Sequence, residues 1–222
     1  MEKFFTAQGG KLDAGFKAGM IAQGIRKSSE AGDPASYRQW TAMAAAMLPA
    51  LQPGDVHLNP QQAAAAPKCE PFPGMLLSKE GMLRSSSACG YDKPLSYAAI
   101  LDGSMPGWLD TNNEEKPWAE VQLAGDSDVS GIVLLNRYEY AADQEEFKWA
   151  APLKVSVSTD GKAYTEVARV EQPEALFRID LQGKAARARF VRIERAAPAD
   201  GSKPGNGRWH FRSFLVYGKK LY

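Results

Sequence analysis

From residue 119 to residue 217 the chain passes through seven short stretches of strand character, 119–123, 129–135, 153–158, 164–170, 176–181, 188–195 and 211–217, with Gly, Asp and Pro clusters between them. No helical pattern intervenes. Short strands in such a succession can bury their apolar sides only by folding face to face, as a β-sandwich or barrel. The stretch LKVSVSTDGKAYTEVARV shows the pattern most clearly: Leu153, Val155 and Val157 alternate with Lys154, Ser156 and Ser158, and a looser alternation resumes after the turn. Asp160-Gly161 between two such runs is a hairpin signal, because Gly takes the positive φ of a tight turn. A calcium loop would need further carboxylates at alternate positions and a closing Glu, and none follow.

The first part of the chain reads differently. Asp33-Pro34 places a capping carboxylate before a first-turn proline, and Tyr37, Trp40, Met43, Ala44, Met47, Leu48 and Leu51 then recur at helical spacing. A preceding helix is expected over about 12–27, with Phe16, Met20, Ile21 and Ile25 on its apolar side. Asn59-Pro60 repeats the cap signal before an Ala-rich turn. The stretch APKCEPFPG, with three prolines, then marks a boundary. The expected organisation is a helical segment over 1–65, the tail of an upstream domain, a linker over 66–75, and a β domain over 76–222.

A formal net charge of +1, with Arg187, Arg189 and Arg192 spread along one strand, lacks the basic footprint of a nucleic-acid binder. No apolar run reaches the ~20 residues of a membrane span. Cys69 and Cys89 lack zinc-site spacing and His partners, so they are either a disulfide or two free thiols. Neither His57 nor His210 stands beside a nucleophile motif, and the Glu114-Glu115 and Glu145-Glu146 pairs read as solvated faces, so nothing in the sequence supports an enzyme.

Taken in order, LRSSSA, AAILDGSMPGWLD, KPWAEVQL, IVLLNR, the hairpin above, ARFVRIE and FRSFLVYG resemble the strands and loops of the discoidin-like domain, also called the coagulation factor 5/8 type C domain, over about 76–218. The resemblance implies a mainly β, eight-stranded jelly-roll sandwich of the galactose-binding-like type, preceded here by the helical segment. It also implies a ligand site made by loops at one end of the sandwich, and carbohydrate binding as the function. A pyranose offers an apolar face to an aromatic ring and hydroxyl edges to hydrogen-bonding side chains. Three loops carry that mixture: one with Trp108, Asp110, Asn112 and Asn113, one with Arg137, Tyr138, Glu139, Tyr140 and Trp149, and one with Asn206, Arg208, Trp209 and His210. Trp209 is the expected stacking platform, and Trp118, alternating into its strand, is expected in the core.

Family members often hold a structural calcium beside the first loop. Asp102 matches one ligand, but the Thr position falls on Gly107 and the Glu position on Ser213, so the implied shell is incomplete. The resulting expectation is a non-catalytic module that targets a larger secreted, periplasmic or cell-surface bacterial protein to a galactose-type or N-acetylated sugar. A protein-protein or adhesion module using the same loops is the alternative. Membrane recognition through Met105 and Trp209 is disfavoured by the neighbouring acidic residues.

Overall fold

A computed structural model describes residues 14–181, 187–196 and 208–222. Five helices are used below: α1 (Ala14–Ala31), α2 (Pro34–Met47), α3 (Pro60–Ala64), α4 (Tyr97–Asp102) and α5 (Glu145–Lys148). The strands are β1 (Met75–Leu76), β2 (Met82–Ser85), β3 (Leu109–Asp110), β4 (Trp118–Leu135), β5 (Leu153–Ser158), β6 (Thr165–Val170), β7 (Leu176–Asp180), β8 (Arg187–Arg195), β9 (His210–Phe211) and β10 (Ser213–Lys220).

The stretches expected as separate strands over 119–123 and 129–135 are one continuous strand, β4, and this strand organises the sandwich. Its first half pairs antiparallel with β2 and β8, and β8 continues to β5 and β6. Its second half pairs antiparallel with β7 and β10, and β10 continues to β1. Register shifts between Gln122 and Ser127, and opposite Tyr217 and Gly218, let one strand serve both layers. Val121, Ile132, Leu134, Val155, Phe177, Val191, Ile193, Phe214 and Val216 meet in the main core. Alternation sends Val133, Leu215 and Tyr217 to the opposite face, where Phe72 covers them. The β5–β6 hairpin turns as expected: Gly161 has φ 73°, and Asp160 Oδ1 accepts from Lys162 N at 2.8 Å and Ala163 N at 3.0 Å. That carboxylate closes the turn.

Asp33 caps α2 by accepting from Ala35 N and Ser36 N at 3.0 and 3.1 Å. A Cβ on Gly24 would lie 2.2 Å from the Trp40 ring, so the glycine lets α1 and α2 approach closely. Ile21, Ile25 and Tyr37 belong to the same buried cluster as Met82, Leu83 and Tyr97, and Ser29 Oγ donates to Leu83 O at 2.6 Å. The helical segment and the β residues therefore share one core. Residues 66–75 lie along the sheet, with Phe72 only 6% exposed.

Trp118 departs from expectation. It is only partly buried and lies outside the core clusters, with the Arg192 guanidinium 4.4 Å from its ring. The neighbouring Glu120 is fully buried and is held by Arg84 at 3.1 Å and Arg192 at 2.9 Å. Both cysteines are free thiols, Cys69 packing beside Phe72 and Cys89 buried. Among the described residues, no helix is long and apolar enough to cross a membrane.

Candidate functional site: an aromatic and guanidinium cleft

β3 and β9 form a two-residue ladder, Leu109 opposite Phe211 and Asp110 opposite His210. Alternation divides it into two faces. Leu109, Phe211 and, one step earlier, Trp209 turn into the core, while Asp110 and His210 turn outward to the floor of a cleft of about 530 Å³. His210 Nδ1 lies 3.3 Å from Asp110 Oδ1, an ion-pair distance without hydrogen-bond alignment. Asp92 anchors the strand from beneath: its Oδ1 accepts from Asp110 N at 3.0 Å and its Oδ2 from the Tyr97 hydroxyl at 2.7 Å. Burial raises the Asp92 pKa to about 6 against these bonds.

Trp108 continues the floor. Two guanidiniums lie against its ring, Arg212 at 4.1 Å and Arg137 at 5.0 Å, within cation–π range. Arg137 also packs on Tyr140 at 4.1 Å and donates to its hydroxyl at 3.0 Å. Glu139 balances both charges, pairing with the Arg212 guanidinium and standing 3.7 Å from Arg137 Nε. The loop carrying these residues is tied down by Asn136, whose Nδ2 donates to Phe147 O and Glu174 O at 3.1 Å.

The walls are less buried. On one side stand Tyr140, Glu146 and Trp149, the last roughly parallel to His210 at 6.1 Å. On the other stand His57, Tyr91 and Arg208, with Asn113 at the rim. Burial, reinforced by the charges of Arg137 and Arg212, pushes the His210 pKa down to about 4 despite the pull of Asp110. The ring is therefore neutral near pH 7. Burial acts to raise the Asp110 pKa, but the His210, Cys89 and Arg208 side chains bring it net below the ordinary value, so it is a carboxylate. Both ring nitrogens of His210, both oxygens of Asp110, Arg137 Nε and Trp108 Nε1 are buried without a hydrogen-bond partner.

Of the residues expected at the site, Trp108, Arg137, Tyr140, Trp149, Arg208 and His210 come together here. Trp209 does not: it is fully buried, edge-on to Phe211 at 4.9 Å, because it shares the inward face of its strand. Asn112 points its backbone N–H at Ser87 Oγ, and Asn113 lines the cleft instead. Tyr138 packs with Val56, Leu58 and Trp108 behind the floor, and Glu139 serves the arginines rather than the opening. Asn206 lies outside the described residues. His57, Tyr91, Glu146 and Arg212 escaped sequence reading. Only Arg212 stood near an expected site residue, two positions after His210.

The residues implied for calcium do not fit that ion. Asp102 Oδ1 accepts from Ser104 N at 2.8 Å, and the Gly107 carbonyl, which could have replaced the missing side-chain ligand, accepts from Arg212 Nη1 at 3.1 Å. The same guanidinium nitrogen donates to Val56 O at 2.7 Å. A carbonyl already facing a cation is a poor ligand for a second one. Among the described residues no group of three or more His, Cys, Asp or Glu could hold a metal.

A search of curated protein sequences gives no match. Among solved structures, the lectin-binding domain of lectinolysin in complex with Lewis b is similar at 20% identity and TM-score 0.50, over 68% of this chain and 100% of that one. A fucose binding module of Streptococcus pneumoniae is similar at 18% identity and TM-score 0.51, over 66% and 99%. A fucolectin from striped bass (Morone saxatilis) serum matches at 19% identity and TM-score 0.52, over 68% of this chain and 49% of that one. At such identities the likeness is one of fold. The sequence profile of the F5/8 type C domain matches residues 83–210, more than half the chain, and the chain belongs to that family.

Proposed function

We propose that this chain is a non-catalytic glycan-binding module whose site is the cleft floored by Trp108, Asp110, Arg137 and His210. The observation that carries the reading is the convergence of aromatic rings, Trp108, Tyr140 and Trp149, with Asp110, Arg137, Arg208 and His210 on one cleft. A ligand with an apolar face and many hydroxyls matches that mixture of rings and polar groups. A hydroxyl can donate to a carboxylate such as Glu146 and accept from Arg208 or Asn113, all of which line the cleft. Trp149 supplies a half-exposed face for the apolar side of a pyranose. Similar folds include modules described as binding fucose and Lewis b, which makes a terminal fucose- or galactose-type sugar the first class to test.

Binding rather than catalysis is favoured by the same geometry. His210, with a pKa near 4, is a weak base at neutral pH, and no hydroxyl or thiol hydrogen-bonds to it among the described residues. Arg212 takes the place of a structural cation, so the reading needs no calcium. A glycan-binding role suits an exported or surface-attached bacterial protein, and one similar fold is a fucose binding module of Streptococcus pneumoniae. Calorimetric titration with L-fucose, galactose, N-acetylgalactosamine and chitosan oligosaccharide tests the proposal. One class should bind in the millimolar-to-micromolar range, about 4–8 kcal/mol, and Arg137→Lys, which keeps charge but loses the planar stacked fork, should weaken it at least tenfold. No binding by any sugar would end this reading and leave a protein-protein contact for the same cleft.

A further inference from the structure

The cleft is closed on one side by a residue outside the family match. His57 follows the 3₁₀ turn Pro53–Val56 and is a non-glycine in the left-handed region, with φ 56°. A residue without special need avoids that region, and Gly or Asn would hold it at less cost. The turn is nevertheless fixed from both ends. Gln52 N donates to Asp55 Oδ2 at 2.8 Å, Asn59 and Gln62 form a reciprocal cap, and Val56 and Leu58 are buried against Trp108. Arg212 Nη1 clamps the Val56 carbonyl at 2.7 Å. What this scaffold presents is an exposed imidazole, edge-on to Trp108 at 4.8 Å and to Tyr91 at 6.2 Å. Tyr91 is itself 55% exposed, and the Arg208 guanidinium lies 4.8 Å from its ring.

Resting on the glycan-binding reading, we infer that His57 and Tyr91 form a second sugar subsite, so that the cleft takes an oligosaccharide and reads the residue next to its terminal sugar. The cleft volume agrees. A hexose of twelve heavy atoms occupies about 180 Å³ if each atom takes roughly half of the ~30 Å³ of a liquid water, and the cleft holds about 530 Å³. The ring order agrees as well: His57 contacts Trp108, Trp108 contacts His210 at 5.5 Å, and His210 faces Trp149 at 6.1 Å. A terminal sugar held over Asp110, Arg137 and His210 beside Trp149 would direct its linkage toward the His57–Tyr91 wall. The helical segment would then set specificity as well as pack the core.

The test compares monosaccharide with oligosaccharide on the full chain by calorimetry, using L-fucose against Lewis b tetrasaccharide and N-acetylgalactosamine against N-acetylgalactosamine-β-1,3-galactose. The wild-type chain should bind one oligosaccharide at least tenfold more tightly than its monosaccharide. His57→Gly should abolish that advantage and leave monosaccharide affinity within twofold, with an unchanged or raised Tm because the left-handed position suits Gly; Tyr91→Ala should act in the same direction. If His57→Gly keeps the full advantage, or lowers both affinities equally, the second subsite is wrong while the glycan site stands. If the wild-type chain binds none of the four probes, the glycan reading itself fails, and this inference with it.

Discussion

Replacing Trp209 by Ala separates scaffold from site. Trp209 is fully buried in the main core, edge-on to Phe211, with its backbone N–H donating to Thr111 Oγ1 at 3.0 Å. A buried Trp removes about 150–250 Å² from water, which at roughly 25 cal/mol per Å² amounts to ~4–6 kcal/mol. Measured aromatic-to-Ala changes in cores cost about 3–5 kcal/mol. Taking ~4 kcal/mol, and ~2–4 °C per kcal/mol for a chain of this size, Tm should fall by about 8–16 °C. Urea denaturation followed by circular dichroism should show the midpoint drop with an unchanged slope. Trp149→Ala should behave oppositely: its ring is only half-buried and outside the core clusters, so stability should stay within about 0.5 kcal/mol while glycan affinity falls tenfold or more. A Trp209→Ala chain that keeps its stability and loses sugar binding would refute the assignment of the two tryptophans.

Arg212→Met should cost about 3–5 kcal/mol in denaturation, because Glu139 would lose its nearest cation inside the protein; a loss below ~1 kcal/mol would show that Arg212 is not the tie between the Gly107 loop, Val56 and Glu139. EDTA should leave Tm unchanged in thermal scans, whereas a calcium ion present at 100 times its Kd would add about 2.7 kcal/mol that chelation removes. The His210 pKa is depressed from 6.5 to about 4, so the unfolded chain takes up that proton first. Its stabilising contribution is complete above pH 6.5 and is lost as pH falls through 4. Imidazole resonances followed by NMR should accordingly show His210 neutral down to about pH 5, and a midpoint near 6.5 would place the ring in solvent.

The layers of the sandwich were legible because period-two alternation survives in most strands: Val155 and Val157 lie in the core as their spacing requires. Three of the cleft's floor residues, Trp108, Arg137 and His210, were legible through the order of the family-like pieces. What failed were decisions about which way a strand end faces. The alternation of its strand points Trp118 into the core, but the buried Glu120 and its arginine partners occupy the same side, so that face is a polar network. Trp209 reads as loop because the strand pattern begins at residue 211; β9 begins at His210, and Trp209 just before it falls on the inward side with Phe211. His57 and Tyr91 had no local signal, since their value comes from a turn more than thirty residues upstream of Tyr91 folding against Trp108, a contact that neither segment announces alone.

The most direct test of the cleft as a sugar site is the tryptophan indole spectrum. Nitrogen-15 labelled protein has five indole N–H resonances, from Trp40, Trp108, Trp118, Trp149 and Trp209. Titration with Lewis b tetrasaccharide and with N-acetylgalactosamine-β-1,3-galactose should move Trp108 and Trp149 saturably, because both rings line the cleft and meet the sugar's ring, while Trp118 stays in place. Saturable movement of Trp118 with Trp108 and Trp149 unmoved would put the sugar beside the Glu120 network instead and contradict the account.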